Sequence, residues 1–311
     1  MQRPQDADYR PRIERALGFI SSNLNRPLTL AEVARAAHLS EFHFHRVFSA
    51  IMREPVGRFI TRKRLEVAAL ALAYEPRRSV TEIALSVGYS SASNFSKAFR
   101  AHFGCSPSQV RSGERLALEG STERDSARLC PADLHVLPPD LPAAARAEAM
   151  AELQRAVRFE VKPDIPLACL ASPEGYDFEA LMRTWQELVA RAVELGLANG
   201  GVDAHGLAHD SPVLTAPERC RYHACVPCAE DTALPAPLFR GKIPAGRYAV
   251  FTYSGPVSGV EEMYRRIYSI WLAASSLAPD DTVNVDHYTH DFPQNGRVEM
   301  EIWLKVVPRA D

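Results

Sequence analysis

Through the first 110 residues apolar side chains recur three and four positions apart, the spacing of helices with one buried face; past residue 157 they alternate, the spacing of strands. A leading helix is predicted from about Asp8 to Asn23. Pro55 stands at an expected first helical position, and "VGRFITRKRLEVAALALAY" continues from it as one long helix to about Tyr74. Phe44 and Phe48, and again Phe95 and Phe99, fall four apart on one helical face, and a last short helix starts at Ser106-Pro107. Residues 1–112 are therefore expected to form an all-α unit.

Within that unit the pattern repeats. Residues 32–48, "EVARAAHLSEFHFHRVF", and 82–99, "EIALSVGYSSASNFSKAF", share one order of small, apolar and polar positions with a single residue inserted. Each copy reads as two short helices. The first opens on a capping box, Thr29 with Glu32 or Ser79 with Glu82, in which hydroxyl and carboxylate satisfy exposed N–H groups. A turn follows, at "AHLS" or "VGYS", where Gly88 suits a left-handed backbone. Ser40 or Ser91 then caps the second helix. Helix, short turn and helix make a helix-turn-helix, present here twice, with the long helix setting the distance between the copies.

From 113 to 156 the composition shifts to prolines (Pro131, Pro138, Pro139, Pro142) among polar residues and alanines, which predicts a linker with a helix over 143–155. Beyond it "VRFEV", "LACLA", "CRYHACV", "GRYAVFTYSG", "VNVDHYTH" and "VEMEIWLKVV" read as strands, and 177–195 and 258–274 as helices. Strand, glycine turn and helix occur twice, roughly eighty residues apart, so 157–308 is expected to be an internally duplicated α+β domain and the protein multidomain.

Composition sharpens this division. The 311 residues carry a net charge of −2, but residues 1–115 hold 18 Lys and Arg against 10 Asp and Glu, and the remainder 18 against 28. A balance of +8 against −10 suits a polyanion partner for the first part alone. The charged opening has no signal-peptide core and no window approaches eighteen uninterrupted apolar residues, so a cytoplasmic protein is expected. Six cysteines spread over this length make no disulfide framework.

The second helix of a helix-turn-helix lies in the major groove with its N-terminal residues against base edges. Ala92, Ser93 and Asn94 are short enough to let the groove floor approach, while Ser96 and Lys97 reach bases and phosphates. The first copy offers Phe42, His43, His45 and Arg46: Arg46 to read guanine, Phe42 to pack on a thymine methyl. The alternative for Phe42 and the histidines is cover for a neighbouring helix.

"EIALSVGYSSASNFSKAFRAHFGCSPSQVR", residues 82–111, resembles the signature of AraC/XylS-type transcription regulators: Ile83-Ala84, Val87-Gly88-Tyr89, Phe95-Ser96, Phe99, Phe103-Gly104, Ser106-Pro107 and Arg111 match, and Val110 replaces the usual aromatic. The resemblance implies two motifs in adjacent major grooves on one face of the duplex. "HDSPVLTAPERCRYHACV" and "IPAGRYAVFTYSGPVSGVEEMYRRIYSIWL" resemble GyrI-like effector-binding domains, and the two together give the layout of the Rob-like regulators. What this implies is a multidrug-type response with promoter DNA, a small-molecule effector and RNA polymerase as partners, no membrane, and no resident metal or cofactor.

In the GyrI-like group an aromatic pocket holds a carboxylate, usually Glu, in a strand before a tyrosine; here the matching residues are Asp286 and Tyr288. Enclosed by Tyr176, Tyr253, Trp271 and Trp303, Asp286 would attract a lipophilic cation. Two alternatives stay open: most of these aromatics, Trp185 above all, as ordinary core, and Asp286 as a surface acid. An enzymatic reading of the same resemblance makes Asp286 a general base for hydrolysis of small reactive molecules, with Tyr253 as donor. Cys220, His223, Cys225 and Cys228 lie close in sequence, but Cys220 and Cys225 would face opposite ways in one strand, and His205 and His209 read as loop residues.

Overall fold

The computed structural model describes residues 4–75, 77–112, 142–198, 203–210, 215, 220–280, 283–288 and 296–309. The chain divides into two compact units, one on either side of segment 113–141, which lies outside the described residues.

Among the described residues the first unit has seven helices: α1 (Pro4–Ser21), α2 (Leu30–Ala36), α3 (Glu41–Met52), α4 (Val56–Tyr74), α5 (Val80–Ser86), α6 (Ala92–Phe103) and α7 (Pro107–Ser112). Both capping boxes form, Thr29 Oγ1 and Ser79 Oγ accepting from the N–H groups of Glu32 and Glu82 at 3.2 and 3.1 Å. The bonds returned by Glu32, with Arg26 beside it, hold its carboxyl down at about 2. The expected Ser cap forms in one copy only: Ser91 Oγ accepts from Asn94 N, whereas Ser40 makes no capping bond. Phe44 and Phe48 of α3 enter a core with Ile13, Leu17, Ile20, Val33 and Phe59, and Phe95, Phe99 and Phe103 of α6 stack in series in the second copy.

α4 carries the charged groups that hold this unit together. Arg62, buried, binds Glu54 through Nε and Nη2 (3.1 and 2.5 Å) and Glu66 through Nη1 (2.7 Å). Arg64 donates to the carbonyls of Leu24 and Arg26, beyond the end of α1, and its guanidinium lies under Gly88 in the turn of the second motif. Gly88 has φ +81°, and a Cβ there would strike the Leu24 carbonyl, so the turn requires glycine for conformation and for space.

The second unit contains α8 (Ala143–Ala156), β1 (Arg158–Lys162), β2 (Ile165–Ala171), α9 (Phe178–Glu194), β3 (Ala204–Ala208), β4 (Tyr222–Pro227), β5 (Phe239–Ile243), β6 (Gly246–Pro256), α10 (Val260–Arg266), β7 (Leu277–Pro279), β8 (Asn284–Tyr288) and β9 (Arg297–Pro308). A 3-10 turn, Val257–Gly259, precedes α10 and a π-helical turn, Ile267–Leu272, follows it. The segment expected as linker is in part structural: Leu153 of α8 enters the core with Ile270 and Trp271, and Arg146 reaches the Ser269 carbonyl.

The strands form one antiparallel sheet in the order β1-β6-β9-β8-β3-β4-β2-β5, with β7 on β9. In each half a strand leads into a helix and then two sheet strands, β2-α9-β3-β4 and β6-α10-β8-β9, the second half with the short β7 inserted before β8, and the halves meet where β3 pairs with β8. Alternation along β8 sends Asp286 and Tyr288 to the face packed against α9 and α10, and Val285 and His287 to the other. β3 corrects the loop expected around His205: Ala204, His205, Gly206 and Leu207 are buried central-strand residues. Gly206 and a lack of β-branched residues hide this strand from a propensity reading.

Candidate functional site

In the first unit the positions expected to face the groove coincide in the two repeats. Aligning Phe44 with Phe95 and Phe48 with Phe99 sets Arg46 level with Lys97, and both are exposed. Phe42 is 75 % exposed and lies under the Arg46 guanidinium, 5.8 Å from ring centroid to Cζ. His45, Ser93 and Asn94 are exposed; Ala92 and Ser96 are half-buried. His43 stands apart, its ring 5.1 Å from that of Tyr9 on α1, so it covers a neighbouring helix, the alternative the sequence left open.

In the second unit a carboxyl is buried at the seam of the sheet. Asp286, 6 % exposed, accepts a 2.5 Å hydrogen bond from the Tyr264 hydroxyl of α10. Burial raises its carboxyl to about 7, against the opposing pull of that bond. Around it stand Tyr176, Tyr222 and Tyr288, whose hydroxyls are pushed upward chiefly by burial, that of Tyr176 also by Asp210 and that of Tyr288 by Asp286. Tyr222 and Tyr288 share a hydrogen bond of 3.0 Å, Tyr176 donates to the Asp210 carbonyl at 2.5 Å, and Trp185 of α9 packs edge-on against Tyr288. Gly206 pairs with Asp286 across β3 and β8, and a Cβ on it would collide with the Tyr222 hydroxyl, so the tyrosine layer depends on that glycine. One acid under a roof of phenols can hold an organic cation or move a proton.

Not every expected pocket residue joins this group. Tyr253 lies on the same face two strands away, but its hydroxyl donates to the Pro256 carbonyl; the phenol that meets Asp286 is Tyr264. Trp271 packs on Phe251 and Phe159, toward β6 and β1. Trp303 pairs with Val285 in register and lies on the opposite face, beside His205 and His287. Tyr264, Tyr222 and Gly206 escaped the sequence reading. The signal available was Tyr264 and Tyr268, four apart on one face of a helix, the second donating to Asn284 of β8.

The cysteine-rich stretch does not converge on one point. Cys220 Sγ reaches the Thr215 carbonyl, ring nitrogens of His223 and His209 meet at 2.8 Å, and Cys225 Sγ lies 2.8 Å from Cys169 Sγ across β4 and β2. Residues 211–214 and 216–219 of the expected acidic-Pro motif lie outside the described residues.

The sequence pattern of the GyrI-like small molecule binding domain matches residues 155–307, and that of a helix-turn-helix domain matches 33–113. The regulatory protein SoxS of Salmonella typhimurium is 30 % identical over 99 residues, 32 % of this chain and 92 % of SoxS. The HTH-type transcriptional activator AarP of Providencia stuartii is 35 % identical over 32 % of this chain and 73 % of its own length. A putative HTH-type regulator of Escherichia coli, YkgA, is 32 % identical over 32 % of this chain, which spans about two fifths of YkgA (41 %). Among solved structures, an AraC-type transcriptional regulator of Chromobacterium violaceum (25 % identity, 37 % of this chain and 99 % of that one) superposes with a TM-score of 0.33. A hydrolase of Listeria innocua (11 %, 49 % and 92 %) superposes at 0.38. No described helix is long and apolar enough to cross a membrane.

Proposed function

Since the chain belongs to the AraC-type helix-turn-helix regulators and carries a GyrI-like small-molecule-binding domain, we propose that α3 and α6 read promoter DNA and that a lipophilic cation in the Asp286 pocket is the signal. The observation that carries the DNA reading is the repeat itself: two capped motifs joined by α4, each offering an exposed cation at the same helical position, Arg46 and Lys97. RNA polymerase at the promoter and a cytoplasmic site of action belong to the same proposal.

The two cations have different tasks. Arg46 extends from the early part of α3 beside Phe42, as a base-reading arginine does, and Arg46→Ala is expected to relax preference at one base pair by about 1–3 kcal/mol. Lys97→Ala is expected to weaken all sequences alike and to lower the salt slope by about one. Titration of single-base variants of a bound promoter fragment, each at several salt concentrations, separates the two. Equal discrimination by Arg46→Ala and the parent chain would remove Arg46 from the reading role.

The effector reading is supported by the Asp286–Tyr264 pair beneath Tyr176, Tyr222 and Tyr288. Occupancy changes DNA binding to the extent that the ligand prefers one state of the protein. A second reading draws on the same pair, because a carboxyl titrating near neutrality beside a phenol is also equipped for acid–base work. Turnover of small electrophiles by the full chain, undiminished in Asp286→Asn, would eliminate that reading.

A further inference from the structure

On the sheet face opposite the Asp286 pocket, His205 of β3 and His287 of β8 sit directly across from each other, their rings stacked at 4.7 Å with 16° between planes. Both Nε2 atoms lie close to one carboxylate oxygen: Asp203 Oδ1 is 3.1 Å from that of His205 and 3.0 Å from that of His287. We propose that Asp203, His205 and His287 form a binding site for a divalent d-block cation such as Zn²⁺, Co²⁺ or Ni²⁺.

Three independent features converge on this assignment. First, the three donor atoms all lie within 4.8 Å of one another, and two imidazoles with a carboxylate suit zinc and its neighbours rather than calcium or magnesium. Second, His205 is only 2 % exposed, yet among the described residues neither of its ring nitrogens makes a hydrogen bond of acceptable geometry; the Asp203 oxygen is near Nε2 but misdirected. A buried imidazole facing a convergence point without a proper partner is what a missing ligand leaves behind.

Third, an outer shell is already built. His287 Nδ1 lies 3.2 Å from Glu301 Oε2, and Glu301 is itself fixed by Trp303 Nε1 at 2.9 Å and Arg158 Nη2 at 2.5 Å. His287 Nε2 now donates to Asp203 Oδ1; when an ion displaces that proton, the carboxylate on the far nitrogen keeps the other proton at Nδ1 and leaves the Nε2 lone pair for the ion, the arrangement that orients metal-binding histidines. Asp203, 60 % exposed on its side chain, is free to swing back and admit an ion between its oxygen and the two rings. Lys162, over the Trp303 ring, is the nearby cation that the ion would have to tolerate.

Calorimetric titration of the full chain with Zn²⁺, after treatment with chelator, tests the site. One ion per chain is expected, with affinity reduced at least tenfold in Asp203→Asn and in His287→Gln and unchanged in His223→Ala, which removes the other imidazole pair. Cu²⁺ should quench tryptophan fluorescence, and Trp303→Phe should abolish most of that quenching, because the indole lies 4.8 and 5.3 Å from the two imidazoles. Asp203 is exposed, so Asp203→Asn carries the test if His287→Gln fails to fold. No zinc binding, or equal affinity in Asp203→Asn and the parent, would overturn the proposal.

Discussion

Asp286→Asn is expected to raise the thermal midpoint of the C-terminal unit at pH 8 and to leave it unchanged at pH 4. In the folded protein this carboxyl titrates at about 7, in the unfolded chain near 3.8. Between those values the folded state holds a proton that the unfolded state has released, so stability falls as pH rises through the window. Above pH 7 the full cost of a buried, ionised carboxylate is present, about 4 kcal/mol for a shift of this size. Below pH 4 both states are protonated and the cost is absent. Asparagine is neutral throughout, and its amide oxygen can still accept from Tyr264, so the variant escapes the penalty without losing the bond. Calorimetric scans of parent and variant at pH 4, 6 and 8 measure the divergence; parallel midpoints at all three would mean that Asp286 is solvated.

The same charge supplies the test of the proposed effector reading. A bound cation pairs with ionised Asp286, so its affinity should fall about tenfold for each unit below pH 7 and level off above it. Asp286→Asn should bind the cation weakly at every pH. Under the proposed effector reading, the acid that weakens the domain at neutral pH is also the group that pairs with the cation, so binding would restore stability in proportion to occupancy.

In the helical unit, Arg62→Ala is expected to cost about 3–5 kcal/mol, because it leaves Glu54 and Glu66 buried without their guanidinium. Lys63, at 3.0 Å from Glu66 Oε2, relieves only one of the two. Urea unfolding of the parent and Arg62→Ala measures the loss, and DNA affinity should fall with the folded fraction. Replacing all three residues with apolar ones of similar size, Arg62→Met with Glu54→Leu and Glu66→Leu, should recover most of it, since the penalty comes from the unpaired charges. If the single variant unfolds at the parent's midpoint, the triad contributes nothing to stability.

Much of this molecule is legible one residue at a time. Thr29 with Glu32, Ser79 with Glu82, and the phenylalanines four apart announce helices because caps and helical spacing act within a single turn. The repeat of that pattern declares a double helix-turn-helix, and alternation declares most of the strands. β3, β5 and β7 lack such a signature. β3 is a strand because its neighbours β4 and β8 supply ladder partners on both sides, which no local preference of Ala204–Ala208 reveals.

By itself, then, the sequence determined the two kinds of domain and the helices with their capping boxes, while Asp286 came from the GyrI-like resemblance. Only the tertiary structure decided what surrounds that acid. Tyr264 comes from a helix and Tyr222 from a strand in the other half of the duplication, while Trp303, seventeen residues further along the chain, is turned to the opposite face by one step of register. The placing of His287 against His205, eighty-two residues earlier, follows from the same pairing of β3 with β8. Capping and periodicity are short-range interactions written in neighbouring residues; a pocket forms from side chains that strand register brings together across the chain.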